Sequence, residues 1–362
     1  MRVAIVHYWL LGMRGGEQVV EALCGIFPAA DIYTLFYDSE KVSAGIRSHK
    51  IIASYLNPLK RFYRSLLPLM PSALESFDLR EYDLVISSES GPAKGVLTTS
   101  TTRHVCYCHT PMRYLWDLYP AYLNEWTKSN IKRALMRPAA RRLRLWDYAT
   151  AARVDQFVAN SENVRNRILK SYRRDSIVVS PPVDVDSFYF RPAEDYFLVV
   201  SELVAYKRLD TAIDAFVKTG RKLRIVGDGP EYRKLRNRSA TNIDFCGRVS
   251  NDDLRNLYAR CRALVFPGEE DFGMVPVEAL SSGKPVIALA RGGVLESVPT
   301  SDPLGGFLYE KPDPRLLQSA IDRFEAHSES IHPQALQSWA QRFNPGEFRR
   351  KIEPILLPQT SK

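Results

Sequence analysis

Nowhere do apolar residues run for the roughly 18 positions a membrane-spanning helix needs, so the sequence offers no membrane span. Cysteine is scarce. Cys24, Cys106, Cys108, Cys246 and Cys261 are odd in number and never spaced C-x-x-C. That argues against a disulfide framework and for buried thiols in a reducing, cytoplasmic compartment. No His/Cys/Asp cluster has metal-ligand spacing, so no metal or other cofactor is expected. The G-x-G-x-x-G dinucleotide fingerprint is missing, as are internal repeats and low-complexity tracts. The first residues lack a small-residue cleavage site, and "VAIVHY" reads as a first strand rather than a signal peptide.

What is present is a 362-residue chain with an ordinary apolar fraction of 45%. A single core stops growing at about 250–300 residues, so two domains are expected. In the first half, "RVAIVHY", "DIYTLFY", "YDLVISS", "RHVCYCH" and "DQFVANS" are strand-like, and the segments between them are long enough for crossover helices. A proline-marked linker, "SIVVSPPVDVDSFYFRPAED", follows. The rhythm then restarts with "DYFLVVSEL", "KLRIVGDGP", "NIDFCGRV", "RALVFPG" and "KPVIALA" as strands. "RLDTAIDAFVKTG" and "VPVEALSSG" read as helices, each closed by glycine. The pattern predicts an α/β protein with two parallel-sheet, Rossmann-like domains, residues 1–185 and 186–335, facing a central cleft at the carboxyl ends of their strands. A helical segment over 336–362, interrupted at Pro345, completes the chain.

The net charge of +9 lies almost entirely in the first half. From Lys128 to Arg144 there are seven cations and no acid, with Leu135, Met136, Leu143, Leu145 and Trp146 interleaved or adjoining. Such a segment, 128–146, suits an anionic membrane surface. Leu56–Phe77, basic at one end and apolar at the other, is a second candidate. A solvated helix face and a nucleic-acid patch are the alternatives. No aromatic–basic RNA motif or zinc pattern supports nucleic acid as a partner.

In a basic chain, Glu269, Glu270 and Asp271 stand together between the strand "ALVFPG" and the helix "VPVEALSSG", and Glu278 follows inside the helix. Helix-start charge preference, worth about 0.3–1 kcal/mol per acid, accounts for one carboxylate but not for three. A turn where a strand ends and a helix begins offers carboxylate acceptors and free amide donors side by side. Sugar hydroxyls need the first and phosphates need the second, and a nucleotide-sugar presents both.

The spacing of Glu270 and Glu278 within "PGEEDFGMVPVEALSSGKPVIA" resembles the retaining glycosyltransferases of family 4, which have the GT-B fold. "ANSENVRNRI", "YKRLD", "GDGPEYRKL" and "CGRVSNDDL" look like family segments in family order. "GGEQVVEAL" and "YCHTPMRYLWDLY" are similar to a bacterial subgroup of mannosyltransferases that use GDP-mannose to build O-antigen and related lipopolysaccharide and exopolysaccharide chains. The resemblance implies roles for individual residues. Glu270 would bind donor-sugar hydroxyls and Glu278 the ribose. The amides of Phe272, Gly273, Met274 and Val275 would hold sugar and diphosphate, and Lys207 would neutralise the departing diphosphate. His109 would contact the hexose near its reacting carbon, Gly15 and Gly16 would let the chain approach the phosphates and acceptor, and Arg248 and Val249 would line the base pocket.

One departure stands out: relatives carry an arginine a few residues before the lysine, where this chain has Glu202. Either Arg208 or a basic residue elsewhere then supplies the second positive charge, or catalysis is weaker. Asp184-Val185-Asp186 resembles the D-x-D metal motif of other glycosyltransferases but reads as linker. The resemblance further implies that the first domain binds the acceptor, that the second binds the nucleotide-sugar and that the 336–362 segment crosses back onto the first domain, in a metal-independent α-mannosyltransferase, peripheral on the inner face of the plasma membrane, acting on a lipid-linked saccharide. A UDP-sugar-dependent enzyme, a nucleotide-sugar epimerase and a non-catalytic scaffold of the same fold are the rivals.

Overall fold

The computed structural model describes residues 1–123, 127 and 129–357. Among these residues the strands form two sheets, and every pairing in both is parallel. The first sheet contains β1 (Val3–His7), β2 (Asp31–Thr34), β3 (Ile51–Ala53), β4 (Leu84–Glu89), β5 (Arg103–Cys108), β6 (Gln156–Ala159) and β7 (Ser176–Val178), in the order β3-β2-β1-β4-β5-β6-β7. The second contains β8 (Phe197–Val200), β9 (Leu223–Val226), β10 (Ile243–Gly247), β11 (Leu264–Phe266), β12 (Val286–Leu289) and β13 (Gly306–Tyr309), in the order β10-β9-β8-β11-β12-β13. Both are doubly wound, Rossmann-like sheets.

The central strands are apolar without alternation because helices cover both faces. In β8, Phe197 and Val199 enter one buried cluster and Leu198 enters the cluster on the opposite face. In β1, Val3 and Ile5 face one core and Ala4 and Val6 the other. Cys106 and Cys108 share one face of β5, both fully buried, as a period of two requires.

The chain forms two compact units, Met1–Pro182 together with Phe348 onward, and Val183–Glu347. Leu336 and Ala340, which fall in the segment expected to cross between domains, pack in the core of the second unit. Pro345 opens the last helix, Pro345–Leu356, rather than interrupting it. Proline fits that place because the first helical N–H has no partner to lose, and Asn344 Oδ1 caps the turn by accepting the Glu347 N–H at 2.7 Å. Phe348, Ile352 and Leu356, spaced by four along one helix face, are buried in the first unit. Residues 358–362 lie outside the described residues.

Candidate active site

In the second sheet β8 and β11 are neighbours, but the chain winds outward from them in opposite directions. The loops that leave their carboxyl ends therefore diverge, which is where a doubly wound sheet holds its ligand. Lys207 stands on the loop after β8 and Glu270 on the loop after β11, and the Lys207 ammonium donates to Glu270 Oε1. The two side chains are 14% and 25% exposed, so the pair is largely withdrawn from water yet accessible. Burial alone would push the Lys207 ammonium down, but Glu270, with smaller contributions from Tyr206 and Asp271, outweighs it and holds the group above its ordinary value. The ammonium also lies 5.2 Å from the centre of the Tyr206 ring.

Three glycines that were not singled out from sequence fix this geometry. A Cβ on Gly268 would sit 2.8 Å from both the Cα and the carbonyl oxygen of Lys207. One on Gly292 would meet the Glu270 carbonyl oxygen at 2.1 Å, and one on Gly293 the Phe272 Cα at 2.3 Å. Gly293 N–H donates to the Glu270 carbonyl at 2.9 Å. Only residues without a side chain let these backbones approach so closely. For Gly292 and Gly293 the legible signal was the Gly-Gly pair one residue after the strand "KPVIALA".

Behind Glu270, Phe272 is buried against Phe343, with ring centroids 5.4 Å apart. Gly273, at φ +86°, turns the chain into the helix Met274–Ser281, which no side chain caps. The N–H groups of Met274 and Val275 thus begin a helix without intrahelical partners, at its positive end. One turn on, Glu278 accepts the hydroxyl of fully buried Tyr258 at 2.7 Å. Burial raises the Glu278 carboxyl; the Tyr258 hydrogen bond opposes this and the charge of Glu270 adds to it. The two glutamates expected to share a ligand therefore sense each other's charge. Tyr258, on the helix Asn251–Arg260, gave no sequence signal beyond its place on an amphipathic helix.

Arg208, Arg248 and Val249, also expected at the donor, lie on loops and a helix start beyond the strand ends of this sheet. Arg208, in a left-handed conformation at φ +53°, pairs with Asp210 at 3.2 Å. Arg248 is exposed, 4.0 Å from Asp228, and Val249 packs on the core. Glu202 shares the loop of Lys207; its carbonyl accepts the Val204 N–H, and its charge acts on the Tyr206 hydroxyl. Asp184 accepts the Ser187 hydroxyl within its own turn, and Asp186 accepts from the Gln341 amide, so both carboxylates are engaged within the protein.

The first sheet has its own switch point, between β1 and β4. His7 ends β1, Ser88 lies near the end of β4, and His109 follows β5. Ser88 Oγ bridges the two imidazoles, 3.0 Å from His7 Nδ1 and 2.8 Å from His109 Nε2. Burial, then the neighbouring His7, pushes His109 down to about 3, so its ring is neutral near pH 7. Gly15 and Gly16 open the helix Gly15–Ile26, and a Cβ on Gly16 would lie 2.8 Å from the Tyr8 hydroxyl and 3.6 Å from His109 Nε2. His7 and Ser88 thus join a cluster in which sequence reading had placed only His109 and the glycines.

Beneath it, Lys94, fully buried, donates to Glu89 at 3.3 Å and to Asp147, which also accepts from Trp116 Nε1 at 2.7 Å and from the Tyr172 hydroxyl. The basic helix Asn130–Thr150 exposes Ile131, Leu135 and Leu145 beside Arg137, Arg141 and Arg142. Two of the apolar residues expected to face a membrane turn inward instead: Leu143 is buried against Met112 and Leu115, and Trp146 donates to Glu75 at 3.0 Å. Lys128 lies outside the described residues. No described helix is long and apolar enough to cross a membrane.

Residues 13–187 match the model of Glycosyltransferase Family 4 and residues 186–341 that of Glycosyl transferases group 1. The fold matches that of the Anabaena protein HepE in complex with UDP-glucose, with a TM-score of 0.73 at 18% identity over 98% of this chain and 99% of that one. The lipopolysaccharide-biosynthesis glycosyltransferase WaaG matches with a TM-score of 0.67 at 15% identity, over 98% of this chain and all of that one.

The chain is a GT-B glycosyltransferase.

The transferase is 26% identical to the O-antigen chain mannosyltransferase C of Escherichia coli, over 91% of this chain and 90% of that protein. It is 32% identical to an uncharacterized glycosyltransferase of Methanocaldococcus jannaschii, over 48% of this chain and half the length of that relative. The D-rhamnosyltransferase WbpZ of Pseudomonas aeruginosa is 32% identical over 38% of this chain and 42% of its own length. These two partial matches span half or less of the relatives concerned.

Proposed function

We propose that the transferase moves mannose from GDP-mannose onto a lipid-linked saccharide, with retention of configuration, at the cytoplasmic face of the membrane. The observation that carries this reading is the Lys207–Glu270 pair at the switch point of the second sheet, beside an uncapped helix start. Each member can exchange its partner for a donor group of matching character. Sugar hydroxyls take the carboxylate, and the diphosphate takes the ammonium and the amides of Met274 and Val275.

Lys207 then balances charge that develops on the departing diphosphate, and a fixed cation at that place stabilises the transition state. Glu278, oriented by Tyr258, accepts from the ribose hydroxyls. His109, neutral near pH 7, is a hydrogen-bonding group that the first unit offers at its own strand ends. In the transfer step the bond from C1 to the diphosphate oxygen breaks and the bond from C1 to the acceptor oxygen forms. The acceptor proton passes to the departing phosphate, so the transfer balances without a protein nucleophile. Mannose as the sugar rests on the E. coli O-antigen mannosyltransferase, which the chain matches over nearly its whole length. The exposed Arg137, Arg141, Arg142, Leu135 and Leu145 face of the helix Asn130–Thr150 would rest on anionic lipid.

The deciding experiment is incubation with GDP-mannose, UDP-glucose and UDP-N-acetylglucosamine, reading nucleoside diphosphate release. Release from GDP-mannose is expected. Release from a UDP-sugar alone would replace the donor, and epimerised sugar without release would replace the reaction class.

A further inference from the structure

The carboxylate of Glu17 lies beside the histidine pair of the first sheet, and the transfer step makes no use of it. Glu17 sits on the helix Gly15–Ile26, is 2% exposed, and directs its two oxygens to different partners. Oε2 accepts the Arg14 backbone N–H at 3.0 Å. Oε1 faces Nε2 of His7 at 3.9 Å. That nitrogen is buried and has no hydrogen-bond partner among the described residues. Gly16 lets the helix lie against both rings, since a Cβ there would stand 3.4 Å from the His7 ring and 3.6 Å from His109 Nε2.

The charge of Glu17 decides which way the hydrogen bonds run. A neutral imidazole has one N–H and one lone pair. At Nε2 of His7 a lone pair would face a carboxylate in a site shut off from water, whereas an N–H is drawn to it. The His7 proton therefore sits on Nε2, and Nδ1 is left as an acceptor. Ser88, also fully buried, donates its single hydroxyl hydrogen to that Nδ1, at 3.0 Å. With the hydrogen so engaged, Ser88 Oγ can only accept from Nε2 of His109, at 2.8 Å. His109 is neutral, so its Nδ1 carries the lone pair. The His109 residue is partly exposed, and Nδ1 makes no hydrogen bond among the described residues.

We propose that Glu17, His7 and Ser88 are positioning residues that hold His109 as its Nε2–H tautomer, so that Nδ1 accepts a hydrogen bond from a ligand hydroxyl. Ionised phosphate oxygens have no hydrogen to give and are turned away from that nitrogen. The inference rests on the glycosyl-transfer reading above for identifying the hydroxyl with that of a sugar; the tautomer does not depend on it.

The chain has six histidines, few enough to follow one by one. Long-range 1H–15N correlation on the full chain labelled with 15N-histidine, at pH 8, reports which nitrogen of each ring carries the proton. Loss of signals in His7→Asn and His109→Gln assigns the two rings, and urea unfolding verifies the fold of each variant. Both rings should be Nε2–H in the unaltered protein. His7→Leu keeps bulk but offers Ser88 no acceptor; the hydroxyl hydrogen then turns to His109, whose ring should become Nδ1–H. In His7→Asn the amide oxygen takes the place of Nδ1, and His109 should stay Nε2–H. An Nδ1–H form of His109 in the unaltered protein, or a His7 protonated on both nitrogens, overturns the relay, and the unaltered protein supplies that result even if a variant fails to fold. One His109 tautomer in all three proteins would mean that His7 only fills space, and overturns it too. Nucleoside diphosphate release from GDP-mannose should fall about tenfold in His7→Leu, the worth of one hydrogen bond, and stay near normal in His7→Asn, with GDP affinity unchanged in both. Normal release from a His7→Leu protein whose tautomer has changed overturns the hydroxyl-accepting role of His109. Absence of release from the unaltered protein strikes the transfer reading, and the tautomers, which need no substrate, then decide the relay alone.

Discussion

Gly268 and Lys207 touch backbone to backbone: a Cβ on the glycine would lie 2.8 Å from the lysine Cα. The loop after β11 thereby sets the position of the loop after β8, and with it the lysine that pairs with Glu270. Gly268→Ala should push these loops apart. Overpacking of this kind costs about 1–3 kcal/mol, so the fold should survive. The catalytic effect should be larger, because a misplacement of about 1 Å can cost roughly 100-fold in rate. Donor turnover against urea-unfolding stability is the comparison; a variant equally active and equally stable would show that the contact is incidental.

The Tyr258–Glu278 hydrogen bond predicts a pH dependence. Glu278 is already raised by burial, and the tyrosine hydroxyl opposes that rise. Tyr258→Phe removes the hydrogen bond that favours the charged carboxylate and should raise it further. The carboxylate form is the acceptor, so donor affinity should fall as pH falls through the raised value. In the variant that fall should begin at higher pH. Donor KM measured between pH 5 and 8 for both proteins shows the shift, and superimposable profiles would remove Glu278 from ribose binding.

Most of the second site was legible because local sequence and local structure agree there. Glu270, Phe272, Gly273 and Glu278 are close in sequence, and a strand end followed by a helix start brings them together without distant contacts. Lys207 could be placed by resemblance alone, since only the adjacency of β8 and β11, an outcome of topology, explains its partner. Tyr258, Gly268 and the Gly292-Gly293 pair act through packing across loops, which periodicity does not report. The strands that went unread, β3, β7 and β13, lie at sheet edges. Both β3 and β7 have only three residues, too few for a pattern, and each is partly exposed. The helical pattern over 130–150 was visible, but which of its apolar residues face inward depended on Met112, Leu115 and Glu75, far away in sequence.

Lys94 carries a prediction about stability. Its ammonium is wholly buried between Glu89 and Asp147, and burial, only partly offset by Lys94, pushes the Glu89 carboxyl up to about 7. Replacing the lysine leaves two carboxylates facing each other without a counter-charge. Removal of one partner from a buried ionic cluster costs about 3–5 kcal/mol, and Lys94→Met should lower the urea midpoint accordingly. A triple replacement, with Glu89→Gln and Asp147→Asn added, should recover part of the loss. No recovery would mean that the lysine's volume, not its charge, is what the core needs.

The most direct test of the account is donor turnover and nucleoside diphosphate binding in Glu270→Gln and Lys207→Gln, each verified as folded. Loss of Lys207 should weaken nucleoside diphosphate binding and turnover together. Loss of the Glu270 carboxylate should leave diphosphate binding near normal while turnover falls by about 100- to 1,000-fold, as expected when one preorganised electrostatic contact is removed. Turnover by Glu270→Gln at the rate of the unaltered protein would contradict the claim that this pair grips the donor.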